Sequence, residues 1–447
     1  MTEYVLRTDQ SRPPQPGARV LDWALGDPCD TIGFGPDFLT GWRPREMAGH
    51  LLALAAAVYT IDKSEPRDEA PDAWTRTIGL SVPSSGPLQD FGPALSFLSG
   101  DRWTVASEGP PASPAPFGSL DPILTMDEEL KTASAVTLFS GGLDSLCGAI
   151  DYLENNPTQK LVLVSHYDHG KATSKQNELR QRLAAEYPGR VAHRRLWLAA
   201  PNANTKQTVQ VLPTAETTTR ARSFLFISAA VALANAIDPK TPVLVPENGY
   251  IALNVPLTRA RTGSSSTRTT HPHFFRLLND ALASVGISNI VQNPYEFMTK
   301  GEMLAASGSP DLLKKLAPQS ISCSHAEVAR WVSGKQGNCG YCFPCLIRRA
   351  SLAHVGWDDA TAVWWDALSD GDLLTDLQHA RGRDLRAVVN AVFAERPDTD
   401  LLRNAPLPSG SRSAYLDVWR RGNSELRSWL VAGADGPLAG VVSRLTR

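Results

Sequence analysis

The chain has 447 residues, 42% hydrophobic and 20% charged, a balance that excludes wholesale disorder, a collagen-like repeat and a coiled-coil rod. Lysine and arginine number 44 against 46 acidic residues. The resulting net charge of −2 leaves no global basic field and argues against nucleic acid as a partner.

In chain order, residues 4–7 (YVLR) and 19–23 (RVLDW) read as short strands. Residues 45–62 (REMAGHLLALAAAVYTID) read as a helix, and its apolar run from Leu51 to Tyr59 is too short to span a bilayer. Residues 77–82 and 101–106 read as strands, and 88–98 as a helix. Together they predict an N-terminal α+β domain over 1–125, a candidate partner-docking module. Residues 1–17 are polar and proline-rich with no signal-peptide core, so a cytoplasmic protein is expected. Residues 108–119 (EGPPASPAPFGS) read as a linker.

Beyond the linker the pattern alternates. Strands are expected at 135–139, 161–165, 191–198 and 242–246, with helices at 144–154, 175–186 and 222–237. Short apolar strands separated by helices predict an α/β fold: a parallel sheet with helices on both faces, over 126–357. Residues 358–447 are expected to be all-helical, with Trp364, Trp365, Leu368, Leu373 and Leu374 as packing positions.

Ser140-Gly-Gly-Leu-Asp-Ser145 lies between the first of these strands and the next helix. Two glycines allow close backbone approach, and a helix start offers unpaired N–H groups and a positive dipole end, which together cradle phosphate. The hydroxyls of Ser140 and Ser145 can donate to phosphate oxygens, while Asp144 can cap the helix or hold Mg²⁺. The loop is neither a Walker A sequence nor a dinucleotide fingerprint.

Four of the six cysteines, Cys323, Cys339, Cys342 and Cys345, fall within 23 residues. Four thiolates complete a closed tetrahedral zinc shell, a structural site rather than a catalytic one. An iron–sulfur cluster would use the same four ligands; a redox C-x-x-C would leave two of them unexplained. Of the isolated pair, Cys29 and Cys147, the latter reads as packed core rather than nucleophile.

The loop resembles that of the SGGxDS pyrophosphatase-loop enzymes, which cleave ATP between the α and β phosphates. That resemblance implies a Rossmann-like fold of the adenine-nucleotide α-hydrolase type. It places pyrophosphate and Mg²⁺ on Ser140, Gly141, Gly142, Leu143, Asp144 and Ser145, and the nucleoside near Asp168. Three further stretches narrow it to the QueC-type 7-cyano-7-deazaguanine synthases. They are Ala221-Arg-Ser-Phe-Leu-Phe-Ile-Ser228, Met298-Thr-Lys-Gly-Glu-Met303 and the segment from Cys339 to Arg348. The resemblance covers about residues 135–357 and implies ATP, Mg²⁺ and Zn²⁺, with Lys300, Arg222 and Arg220 as cations near the reacting carboxyl group.

The family's S-G-Y-P-D-C-R substrate stretch is absent; Glu247-Asn-Gly-Tyr-Ile-Ala-Leu-Asn-Val255 and a Ser/Thr/Arg loop over 259–273 stand in its place. A long N-terminal domain and a helical tail on such a core resemble the QueC-like component of the Qat anti-phage defence system (QatC). The resemblance implies a C–N ligase that adenylates a 7-deazaguanine carboxylate and transfers it to an amine. The acceptor implied is a defence protein encoded beside it. An ordinary nitrile-forming synthase using ammonia, a tRNA-modifying enzyme and a non-catalytic ATP-binding scaffold are the alternatives.

Overall fold

The computed structural model describes residues 1–8, 16–23, 31–109, 126–167, 173–199, 216, 218–258, 268–325, 337–359, 365–375, 377 and 380–447. Most of the linker, the loop over 259–267, Cys29, Asp168, His169 and Trp364 lie outside these residues.

The N-terminal sheet is built from β1 (Thr2–Arg7), β2 (Arg19–Asp22), β4 (Thr77–Val82) and β5 (Arg102–Ser107), in the order β2-β1-β4-β5. All its pairings are parallel, which corrects the expected α+β reading of this region. The reason lies in the connections. Helix α1 (Glu46–Ser64) and helix α2 (Gly92–Ser99) precede β4 and β5, and helical crossovers return the chain in the same direction.

The second sheet has the order β10-β9-β6-β7-β8-β3, where β3 is Gly33–Phe34, with β6 (Ala133–Leu138), β7 (Lys160–Tyr167), β8 (Val191–Ala199), β9 (Val243–Leu244) and β10 (Val291–Gln292) mutually parallel. β3 (Gly33–Phe34) leaves the N-terminal region to pair antiparallel with β8. β9 is shorter than the apolar run suggests because Pro242 and Pro246 flank it and carry no N–H for a ladder.

Because strand side chains alternate, the two faces of this sheet bury different residues. Val136, Leu138, Val162 and Val164 join one apolar cluster with α1 and α6 (Arg222–Ile237). Ala135, Phe139, Leu161 and Leu163 join another with α4 (Leu143–Asn155) and α5 (Thr173–Glu186). Helices therefore flank the sheet. The first cluster also takes in Leu6, Leu21, Ile78 and Val105 from the N-terminal sheet. α1 packs along α6, and both are buried nearly all round, which fits their alanine-rich, weakly amphipathic sequences.

The remaining helices are α3 (Glu128–Lys131), α7 (Gly249–Leu253), α8 (Pro272–Ser284), α9 (Lys300–Ala305), α10 (Pro310–Leu316), α11 (Phe343–His354), α12 (Gly371–Thr375), α13 (Arg383–Phe393), α14 (Arg412–Gly433) and α15 (Gly436–Leu445). From α12 onward the described chain is helical, and a third cluster holds it against α7 and α11. Leu373 is buried there, with Trp365, Leu368 and Leu374 packed at its margin. No helix among the described residues is long and apolar enough to cross a membrane.

A buried ion quartet ties α1 to the N-terminal sheet. The Asp101 carboxylate accepts from both Arg67 terminal nitrogens at 2.9 Å and from Arg76 at 2.7 and 3.1 Å, while Asp62 bonds the same two arginines. Burial opposes ionisation of Asp101, but the Arg76 hydrogen bonds and the Arg76 and Arg67 charges prevail and hold its carboxyl below the usual range. A carboxyl lowered in the folded state stabilises above its unfolded pKa, and that contribution is lost as pH falls through the folded value. Asp101→Ala would leave two buried guanidinium groups short of charge. We expect it to cost about 3–5 kcal/mol in urea unfolding at neutral pH, with the deficit shrinking in acid.

Candidate functional site

In the second sheet the strand order reverses between β6 and β9. In open parallel sheets the crevice outside the strand carboxyl ends at such a reversal is where ligands bind. The segments leaving β6 and β9 at this point are Ser140–Ser145 and Glu247–Asn248.

β6 delivers the chain into a tight turn. Gly141 has φ of +81°, a conformation that favours glycine, and a Cβ there would meet Gln176 Cγ at 3.1 Å, so Gln176 would have to give slightly. Gly142 precedes α4 with no side-chain cap, so Asp144 sits in the first turn and does not cap it. The Gly142 N–H donates to Ser140 Oγ at 3.3 Å and the Leu143 N–H to Ser322 Oγ at 3.1 Å. Both acceptors are hydroxyls on rotatable bonds, able to turn aside and leave these amides to an anion. The Ser145 hydroxyl donates to Gly142 O at 3.0 Å and lies 3.3 Å from Ser140 Oγ. Gln176 Nε2 donates to Ser140 O at 3.1 Å, and the Ile321 N–H to Gly141 O at 3.0 Å.

Asp144 is held from two sides. Its Oδ1 pairs with Lys300 Nζ at 2.7 Å; its Oδ2 accepts from Asn248 Nδ2 at 2.8 Å and from the Asn248 N–H at 3.3 Å. Lys300 is the first residue of α9, fixed by a capping box between Thr299 and Glu302. From α14, Glu425 accepts from the Thr299 hydroxyl and from the Gly301 N–H, so the helical tail anchors the start of the helix that carries Lys300. Beside the pair stands Glu247. Burial, then the Asp144 charge, push its carboxyl up to about 7, against the Thr270 hydrogen bond and the Lys300 charge.

The other expected cations have partners of their own. Arg222 opens α6 and donates from Nε to His166 Nδ1 at 3.0 Å; His166 is buried at the end of β7, with Nε2 3.2 Å from Leu198 O. That arrangement makes His166 a packing residue with its Nε2–H donated to the chain. Arg220 stacks over the Trp74 ring at 4.4 Å, drawn toward the N-terminal region. Asp62 accepts from the Ala221 N–H at 2.8 Å, so that region also fixes the entry to α6. Cys147 is fully buried beside Asp151 and Tyr295, and burial pushes its thiol well up, in keeping with packed core.

The four clustered cysteines converge, with all Sγ atoms within 4.8 Å of one another. The Cys339–Cys345 and Cys323–Cys342 pairs are each 3.9 Å apart. A tetrahedral shell with Zn–S near 2.3 Å has S···S edges of about 3.8 Å, so these residues fit a metal such as zinc. The amides of His325 and Cys339 donate to Cys323 Sγ, and that of Cys342 to Cys339 Sγ, each at 3.3 Å, which favours thiolates. The centre adjoins the loop: Ile321 and Ser322, which bond Gly141 and Leu143, immediately precede Cys323. A separate cleft of about 510 Å³, lined by Glu128, Lys160 and Arg190, opens at the opposite ends of β7 and β8, away from this chemistry.

No family model and no curated protein matches the chain.

Residue-by-residue reading misses Gln176 and Ser322, and it marks Glu247 and Asn248 only as the start of the stretch that replaces the family's substrate segment. A polar pair directly after the buried strand at 243–245 marks Glu247 and Asn248 as candidates once a parallel sheet is assumed. Ser322 and Gln176 carry no such mark, since their contacts with the loop arise only on folding.

Proposed function

We propose that the chain is a QueC-like, ATP-dependent C–N ligase of bacterial anti-phage defence, with a Rossmann-like core of the adenine-nucleotide α-hydrolase type. It would activate a 7-deazaguanine carboxylate as its adenylate and transfer the acyl group to an amine of a partner protein in the cytoplasm. The observation that carries this reading is the Ser140–Ser145 loop at the strand-order reversal, with Asp144 fixed between Lys300 and Asn248.

The chemistry divides into two displacements. A carboxylate oxygen of the acid attacks the α phosphorus of ATP; the bond to the β-phosphate bridging oxygen breaks, and pyrophosphate leaves. The amine nitrogen then attacks the acyl carbon, the C–N bond forms, AMP departs with the C–O electrons, and the amine proton passes to a base. The amides of Gly142 and Leu143 and the hydroxyls of Ser140 and Ser145 would bind the pyrophosphate oxygens. Lys300 would offset charge that develops at the α phosphate. Asp144 would be the carboxylate to hold Mg²⁺, which would offset charge on the ATP phosphates. Zn²⁺ on the four cysteines would be structural, since the ligand set leaves no open position. Asp168 remains the candidate for the nucleoside.

The test is intact-mass spectrometry of the operon-neighbour protein after incubation with 7-carboxy-7-deazaguanine, Mg²⁺ and ATP. The expected result is a mass increase equal to the acid minus water, matched by AMP and pyrophosphate. An unmodified neighbour with free nitrile formed from added ammonia would instead make the chain an ordinary synthase. No AMP in any tube would leave an ATP-binding scaffold.

A further inference from the structure

Resting on the ligase reading above, we propose that Glu247 is the base that takes the proton from the attacking amine, its carboxylate set beside the Asp144–Lys300 pair by Thr270 and Asn293. The two-step chemistry requires such a group. A primary amine is mostly protonated near neutral pH, and even a free amine carries a surplus proton once it has attacked the acyl carbon. Asp144, engaged by Lys300 and Asn248 and assigned above to Mg²⁺, is already committed.

Glu247 is held differently. Its N–H donates to Asn293 Oδ1 at 3.2 Å and its carbonyl accepts from Asn293 Nδ2 at 2.6 Å, so one side chain pins both faces of its peptide unit. Its Oε2 accepts from the Thr270 hydroxyl at 2.5 Å, while Oε1 has no hydrogen-bond partner among the described residues. The residue retains partial solvent access, unlike its buried neighbours Pro246 and Asn248. Among the described residues one oxygen is thus anchored and the other open, the arrangement a proton acceptor needs.

Among the described residues, Asp144 and Lys300 are the charged groups that bear on it, and they act in opposite senses. With one oxygen anchored on Thr270 and the residue partly exposed, the carboxylate can accept a proton and return it to solvent. In the transfer step the amine nitrogen bonds to the acyl carbon as the C–O bond to AMP breaks. The amine proton goes to Glu247 Oε1, leaving a neutral carboxylic acid beside Lys300.

Glu247→Gln keeps the acceptor for Thr270 but cannot take a proton. With 7-carboxy-7-deazaguanine as the acid, three readouts separate the roles: ATP–pyrophosphate exchange for adenylation, amide formation from ammonium, and hydroxamate formation from hydroxylamine. Hydroxylamine is uncharged near neutral pH and captures an acyl adenylate without an enzymatic base. Glu247→Gln should keep exchange and hydroxamate formation within about threefold of wild type while amide formation falls roughly 10²-fold. Glu247→Asp should recover part of the loss. Wild-type amide formation by Glu247→Gln, or a parallel fall in all three readouts, would overturn the inference while leaving the ligase reading intact. Wild-type protein that performs no exchange would overturn that reading and the inference with it.

Discussion

Asp144→Ala is expected to lower pyrophosphate release from ATP by roughly 10²–10³-fold, the usual effect of losing one preorganised charge-bearing contact in a site. It should also destabilise the fold, because Lys300 is buried with its ammonium 2.7 Å from the lost carboxylate. An unpaired buried charge costs about 3–5 kcal/mol. Activity and stability must therefore be separated. Asp144→Asn combined with Lys300→Met removes both charges, so the double variant should melt closer to wild type than Asp144→Ala does, yet remain inactive. The check is pyrophosphate release measured beside thermal unfolding for both single variants and the double variant. Wild-type release from Asp144→Ala would remove the loop from the chemistry. Ser145→Ala, which deletes a hydroxyl but strands no charge, should lose turnover with little change in melting temperature.

The second large effect concerns the cysteine centre. Structural zinc sites in small domains contribute about 10–16 kcal/mol of apparent binding free energy, so a metal held by these four cysteines would support the local fold. Cys342→Ser, or exhaustive chelation, should abolish metal content and open the segment around α11 to proteolysis. On the proposed ligase reading, the consequence should also reach a bound nucleotide. Ile321 N–H holds Gly141 O, Ser322 Oγ holds the Leu143 N–H, and Cys323 follows directly in the chain. Release of Cys323 would free both contacts, so ATP affinity should fall by roughly tenfold or more, the loss of one or two net hydrogen bonds. Metal analysis, limited proteolysis and calorimetric titration with ATP would follow the three effects. A metal-free protein with unchanged proteolysis and ATP affinity would show that the centre does not support the loop.

The two extensions of the core matter to the site through similar long-range ties. Asp62, in the N-terminal helix α1, accepts from the Ala221 N–H at the entry to α6. Glu425, in α14, fixes the start of α9 next to Lys300. Neither tie is visible in composition or periodicity, because each joins residues more than a hundred positions apart. A helical tail marked in sequence only by packing positions thus helps to fix Lys300.

Local sequence carried the elements whose signal is local. The helices at 45–62 and 222–237 and the strands at 77–82, 135–139 and 161–165 stand in the structure within a few residues of their expected bounds, because apolar run length and turn residues are read over short windows. The Ser-Gly-Gly turn was legible because glycine conformation is a property of one residue, and the cysteine cluster because thiolate ligands at short spacing have few other uses. Tertiary structure decided the rest. The parallel order of the N-terminal sheet, the transfer of β3 to the second sheet and the truncation of β9 between prolines depend on pairing between distant segments. Lys300 reached Asp144 and Arg222 reached His166 only through the packing of α9 and α6. Residue type announced which side chains could carry charge near a phosphate, but loop-closure entropy and core packing, summed over the whole chain, selected which of them share one site.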